Sequence, residues 1–305
     1  MKKLISFFIL LFIATLELSA DEKRSYQFEN STYEYSTPKT FDFVTTAPGN
    51  YLNFLDSSFS AKSMKGWGTI IATSALLYAY DEEILKAVQN AGRQIGFGNK
   101  DKSRETVLIN APTDVPSALF FLGDGFTSIG IGAGFLTAGL IKEDPRMLQT
   151  TSQIFQGLLM SGFTSQALKR VTGREEPFRR TQKRGRWDPF IGSEQYEDNK
   201  TKYDSYPSAH MATAMTTFTI ISKNYPEYSF VDPLGYSLLG LLGFQMVNSG
   251  VHWASDIPLS VGMGYMIGKT IVDNGRKIAS DETQTTFLPF INSAGSVGAS
   301  FKILY

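Results

Sequence analysis

The stretch from Leu119 to Ile141 limits the possible folds more than any other part of the chain. It is almost wholly apolar, its single charge is Asp124, and Gly125, Gly130, Gly132, Gly134 and Gly139 punctuate it. Small residues on an apolar helix let a neighbouring helix come close, in a buried bundle or in a weak membrane span. The segments around it carry helical signals of the same kind. Trp67 to Tyr80 is apolar and rich in small residues. Asp81 is placed as a helix N-cap, with Ile84, Leu85, Val88, Ala91 and Ile95 following at helical spacing. Pro145 opens a helix that runs through Met147, Leu148, Ile154, Leu158 and Phe163 to Lys169, where Gly173 ends it. Pro207 opens another through Met211, Met215, Phe218 and Ile221, stopped by Pro226. Leu234 to Val247 and Ala254 to Ile271 complete the set. The expectation is an all-α fold, a helical bundle of about six core helices.

The N-terminus reads as an export signal: Lys2 and Lys3, an apolar run from Leu4 to Leu16, and small residues Ser19-Ala20 before Asp21. Residues 1–20 are therefore expected to be a signal peptide, and the protein to be exported to the periplasm or a cell-envelope membrane. Residues 21–58 are polar and aromatic, an expected extended leader. Residues 59–278 form the helical domain. Residues 279–305 form a tail whose alternation at Val297, Ala299, Phe301, Ile303 and Tyr305 suits a β-hairpin. With 29 basic and 29 acidic residues in 305, bulk attraction to nucleic acid is excluded. No cysteine is present, so disulfides and thiolate metal sites are excluded too. A mean hydropathy of −0.11 is too polar for an integral six-span protein, and the expectation is a bundle leaning on a membrane surface.

Histidine occurs twice, and both fall between Pro207 and Asp256: His210 in Tyr206-Pro207-Ser208-Ala209-His210, and His252 in Gly250-Val251-His252-Trp253-Ala254-Ser255-Asp256. His252 and Asp256, four apart, share a face on one helical turn, where a carboxylate can fix an imidazole tautomer and make the distal nitrogen nucleophilic. His210 follows a helix start, where free N–H groups and the dipole favour an anion. Ser208 adds a hydroxyl and Ala209 an N–H. Lys169 adds a point charge suited to phosphate, ahead of a long loop from Thr172 to Tyr206. That loop is basic at first (Arg174, Arg179, Arg180, Lys183, Arg184, Arg186) and then acidic (Glu194, Glu197, Asp198). Each block alone is more often structural, as a surface hydrogen bond or compensation of a helix dipole. Together they supply a nucleophile, a second histidine for acid catalysis and an anion cradle. Zinc held by the two histidines and the aspartate is the rival reading.

The order Lys169…Pro177, then Pro207-Ser208-Ala209-His210, then His252-x-x-x-Asp256 resembles the type 2 phosphatidic acid phosphatase and vanadium haloperoxidase superfamily. The resemblance covers roughly residues 65 to 275. It implies a bundle with the site between core helices. His252 would attack phosphorus and form a phosphohistidine, with Asp256 orienting it. His210 would protonate the leaving oxygen and then activate water. Lys169, the Ser208 hydroxyl and the Ala209 N–H would hold the phosphoryl oxygens, and the phosphatase reaction would need no metal or other cofactor. The implied substrate is a phosphorylated small molecule or a lipid phosphate. The sequence departs from the family pattern at four positions: Glu176 and Met246 stand where arginines are expected, Gln245 where a serine is, and Ala209 replaces a glycine. Arg174 is the nearest candidate to replace a missing clamp arginine. The departures leave three readings open: an exported phosphatase for phosphomonoesters or lipid (pyro)phosphates, a weakened relative serving as an envelope scaffold or lipid-binding protein, and vanadate-dependent peroxidase chemistry.

Overall fold

The structure is a computed structural model that describes residues 23–28, 31–98, 112, 114–278, 284–291 and 297–304. The expected signal peptide lies outside them. In chain order the elements are β1 (Lys23–Phe28), β2 (Ser31–Ser36), α1 (Asp42–Thr45), α2 (Ala47–Ser58), α3 (Ala61–Ala79), α4 (Asp81–Gln94), α5 (Val115–Phe121), α6 (Gly125–Lys142), α7 (Pro145–Thr172), α8 (Ser193–Asp198), α9 (Ala209–Asn224), α10 (Val231–Asn248), α11 (Ile257–Gly275), β3 (Lys277–Ile278), β4 (Gln284–Ile291) and β5 (Val297–Leu304). The fold is all-α apart from these short strands.

Helices α7, α9 and α11 form the centre of the bundle, with α6 against α7, α10 against α9, and α2 and α3 laid over α11. Glycine sets how close these helices lie. A Cβ at Gly264 on α11 would sit 2.5 Å from the Ala212 carbonyl oxygen of α9, and one at Gly268 would sit 2.9 Å from that of Thr216. Phe54, Met160, Ala212, Met263, Ile267 and Ile271 close the central cluster. Asp124 divides the Leu119–Ile141 stretch. Its carboxylate accepts from Phe126 N and caps α6, so the apolar run becomes two helices.

The leader is extended in its first part and helical from Asp42 on. β1 and β2 form an antiparallel hairpin, Lys23 opposite Ser36 and Phe28 opposite Ser31, and β3 pairs with β2 through Tyr33 and Ile278. Aromatic residues dock this sheet on the bundle. The Tyr26 hydroxyl donates to Asp144 at 2.6 Å, Arg146 stacks over Tyr26 and Tyr225, and Tyr35 is buried. From Asp42 the chain turns helical, and α2 gives Phe54 to the core, so the bundle begins before residue 59. In the tail, β4 and β5 pair as an antiparallel hairpin, Gln284 opposite Leu304.

Large apolar side chains also face outward. Phe59, Ile71, Leu76, Phe163, Phe230 and Leu234 are all more than half exposed. Among the described residues α6 is the helix long and apolar enough to cross a membrane.

Two glycine substitutions should have opposite signs. Gly264→Ala forces a methyl into a backbone carbonyl and is expected to cost about 1–3 kcal/mol. Gly162→Ala, with nothing within 4 Å of the new Cβ, should gain about 0.5–1 kcal/mol from reduced chain entropy. Denaturant midpoints of the two variants check this.

Candidate active site

The last turn of α7 presents Lys169. Gly173 then ends the helix in the left-handed region at φ 55°, where a Cβ would lie 1.9 Å from the Asp188 carbonyl oxygen. The long segment that follows is folded rather than loose. It contains a 3₁₀ turn at Pro177–Arg179, helix α8 and a second 3₁₀ turn at Lys200–Lys202, and Arg174 bridges to Trp187 and Asp204. It leads into α9, whose N-cap is Ser208, the Oγ accepting from Met211 N at 3.3 Å. This places Ala209 and His210 in the first turn. His210 packs edge-on against Phe120 at 4.7 Å between ring centroids. A Cβ at Gly123 would lie 2.6 Å from that of His210, so the bend between α5 and α6 lies directly against this histidine.

His252 comes from the turn after α10 and is buried. Its ring centroid lies 6.4 Å from that of His210. Its Nδ1 lies 2.7 Å from the Ser205 carbonyl oxygen. A carbonyl only accepts, so Nδ1 carries the proton and Nε2 keeps its lone pair. Asp256 does not make this contact itself: its Oδ2 is 3.7 Å from His252 Nδ1, beyond hydrogen-bond reach. Its oxygens instead accept from Ser205 Oγ at 2.6 Å and Trp253 N at 2.7 Å. Asp256 thus holds the residue that holds His252. The turn is secured from the other side by the Met246 carbonyl, which accepts from Val251 N at 3.3 Å and His252 N at 3.4 Å.

The expectation that Arg174 holds phosphoryl oxygens is corrected by its surroundings. It is fully buried. Its Nη1 donates to Asp256 Oδ1 at 2.5 Å and to Ser255 Oγ at 2.7 Å. Its Nη2 donates to Asp81 Oδ2 at 2.7 Å and to the Arg184 carbonyl at 3.0 Å. Nothing is left on either terminal nitrogen for a phosphate. Asp81 is corrected too. Tyr80 occupies the cap position of α4, and the Asp81 carboxylate turns to Arg174 and to Ser255 N and Oγ. The two carboxylates that share this guanidinium behave differently. Burial raises both, but Arg174, His252 and Ser205 outweigh it at Asp256 and leave its carboxyl below the ordinary range. At Asp81 burial prevails over Ser255 and Arg174 and the carboxyl is pushed up.

Lys169 is buried and pairs with Asp204, Nζ to Oδ1 at 2.9 Å. The Tyr196 hydroxyl also donates to Asp204. Burial would raise the Asp204 carboxyl, but the Lys169 charge and the Tyr196 bond overcome it, with His252 adding to them, and it stays below the usual range. Of the other arginines of the segment, Arg180 donates to the Pro177 carbonyl at 2.8 Å, faces Glu82 at 3.4 Å and lies over the Trp253 ring, and Arg179 lies over Phe178. Glu176 is buried, and Met246 fills an apolar cluster with Met211, Leu242 and Val251. The zinc reading loses its carboxylate, because both Asp256 oxygens are committed to Arg174, Ser205 and Trp253.

Reading the sequence missed Asp204, Ser205 and the Asp81–Ser255 pair. Asp204 and Ser205 sit just before Tyr206-Pro207, but nothing in the spacing tells which of their atoms faces Lys169 or His252. Asp81 is separated from its partners by most of the bundle and carried only a helix-start signal.

The sequence model described as PAP2 superfamily matches residues 151–277, a span that includes Lys169, Ser208, His210, His252 and Asp256. The likeness to the PAP2 superfamily holds over these residues. Asp81, the other carboxylate on Arg174, lies outside the matched span. A stretch of 73 residues, 23% of this chain, is 33% identical to "Lipid A 1-phosphatase" of Porphyromonas gingivalis. The match spans 16% of that protein's length. A solved transmembrane PAP2 type phosphatidylglycerolphosphate phosphatase from Bacillus subtilis aligns with a TM-score of 0.38 at 16% identity, over 77% of this chain and 96% of that one.

Removing Arg174 leaves two carboxylates buried without their partner. Arg174→Met should cost about 3–5 kcal/mol in denaturant unfolding. Arg174→Lys should recover little, since an ammonium cannot reproduce the fork. The Asp204–Lys169 pair sets an acid limit. The folded carboxyl titrates below its ordinary value, so its contribution is complete above about pH 4 and is lost as pH falls through the lower folded value. Unfolding followed from roughly pH 6 down to pH 2 should show a steeper loss in the wild type than in Asp204→Asn.

Proposed function

We propose that this protein hydrolyses the phosphomonoester or pyrophosphate group of a lipid phosphate through a phosphohistidine at His252. The observation that carries this is the fixed tautomer: Nδ1–H is tied to the Ser205 carbonyl, so the Nε2 lone pair is available, with the His210 ring 6.4 Å away centroid to centroid. In the first step Nε2 attacks phosphorus, the bond to the leaving oxygen breaks, and His210 in its protonated form gives that oxygen a proton. In the second, His210 takes a proton from water, water oxygen attacks phosphorus, and the P–N bond breaks to release phosphate and neutral His252. The α9 N-terminus at Ala209 and the Ser208 hydroxyl face the developing charge. Lys169 contributes when phosphate replaces Asp204 on it.

Two observations support a lipid as the substrate. Large apolar side chains face outward on α2, α3, α7 and α10. The named relative is a lipid A phosphatase. An envelope membrane facing the periplasm, reached by export, is the setting this reading requires.

A second reading is favoured by how Arg174 and Met246 are placed. Arg174 is tied to two aspartates, and Met246 fills an apolar cluster where the family pattern has an arginine. On that reading the bundle binds lipid phosphate and turns it over slowly or not at all.

Purified protein in detergent should release phosphate from phosphatidic acid or an isoprenyl-type pyrophosphate. His252→Ala should abolish this, and Lys169→Met should lower the rate by about 10²–10³. Turnover no higher than that of His252→Ala across both substrate types would leave the binding reading standing.

A further inference from the structure

One turn of α9 beyond His210, between α6, α9 and α10, lies an apolar cleft with a volume of about 290 Å³, open to the outside. We propose that this cleft seats one acyl chain of the lipid whose phosphate is cleaved. The inference rests on the lipid-phosphatase reading and adds to it where the hydrocarbon goes.

The cleft begins at the site. His210, Ala214, Thr217, Phe218 and Ile221 follow one another along a single face of α9, at helical spacing. From Ala214 on, these residues line the cleft. Leu122, at its head, is next to Gly123, which lies against His210. From His210 to Ile221 the helix rises about 16 Å. That is close to half of the roughly 30 Å hydrocarbon thickness of a bilayer, the depth one leaflet's chains occupy.

The lining offers little to a polar ligand. Its three hydroxyls are already bonded: Ser128 and Thr217 to each other at 2.9 Å, and Thr127 to the Phe121 carbonyl. The rest is aliphatic and aromatic, which fits hydrocarbon and little else. The mouth opens sideways: Phe230 is 62% exposed and Leu234 53%. A chain can therefore enter from a membrane without leaving an apolar surrounding. Gly235 adds a device of its own. A Cβ there would lie 2.0 Å from the Phe218 ring, so its absence lets that ring lie flat on α10, where Tyr236 meets it edge-on at 4.9 Å.

The test compares a long-chain phosphatidic acid with a short-chain, water-soluble one. Leu238→Trp at the mouth and Ala214→Phe near the head fill the cleft. Each should lower kcat/KM on the long-chain substrate by at least about tenfold more than on the short one, since excluding even a few methylene groups is worth that much. Equal effects on both substrates would overturn the proposal. A second measurement does not depend on turnover. His252→Ala, with the cleft intact, is irradiated with phosphatidic acid carrying a diazirine on one acyl chain. A diazirine near the ester should label Leu122 or Ala214, and one near the chain end Ile221 or Phe230. Labelling confined to residues that do not line the cleft would overturn the proposal even if the protein hydrolyses lipid phosphate. Labelling inside the cleft in a protein with no turnover would support it while the phosphatase reading fails.

Discussion

The site depends on one buried guanidinium. Arg174 draws together the start of α4 through Asp81 and the turn before α11 through Ser255 and Asp256, and its own backbone carbonyl accepts from Ser205 N at 3.0 Å. A planar fork with several donors can do this where an ammonium cannot. Three further aromatic faces, Tyr78, Trp187 and Trp253, surround it, which suits a weakly hydrated cation held away from water. Because Ser205 both takes the His252 proton contact and is pinned by Asp256 and Arg174, the orientation of the imidazole is set by a chain of contacts: guanidinium, carboxylate, serine, carbonyl, ring. Each member is buried, so a fault in one is felt by the next.

The anion side is arranged differently. Lys169 is held by Asp204 within a segment folded over the end of α7, and Tyr196 holds Asp204 in turn. A carboxylate on the lysine occupies one of the positive charges a phosphate would seek. The same contact keeps a buried cation satisfied in the unliganded protein, where an unpaired ammonium would be costly.

Most of the fold was legible in the sequence. Apolar periodicity and breakers gave the long helices of the bundle, from Pro145 to Gly173 and from Ser208 to Asn224, because each is amphipathic or glycine-lined and bounded by caps. The pairing of the leader was not legible, because alternating tyrosines in a polar stretch signal a docked strand only once the bundle surface at Asp144 and Arg146 is present to receive them. In the site, residue types and order pointed to Lys169, Ser208, His210, His252 and Asp256, and the structure places them around one region. Arg174 was assigned to the wrong partner. Its nearness to an expected arginine position is a statement about sequence, whereas its side chain follows the two buried carboxylates, one of them drawn from α4. The substitution of Met246 makes sense locally, since its side chain is buried among Met211, Leu242 and Val251.

The pairing of Tyr33 with Ile278 joins the beginning of the described chain to the strand after α11. A ribosome makes β2 long before β3 exists, and any channel that passes the chain N-terminus first delivers them in the same order. The hairpin of β1 and β2 then waits with one edge unpaired and its tyrosines without the Arg146 and Arg276 faces that stack on them. The sheet is therefore a late event in assembly, and its closure reports that the whole bundle between its strands has come together.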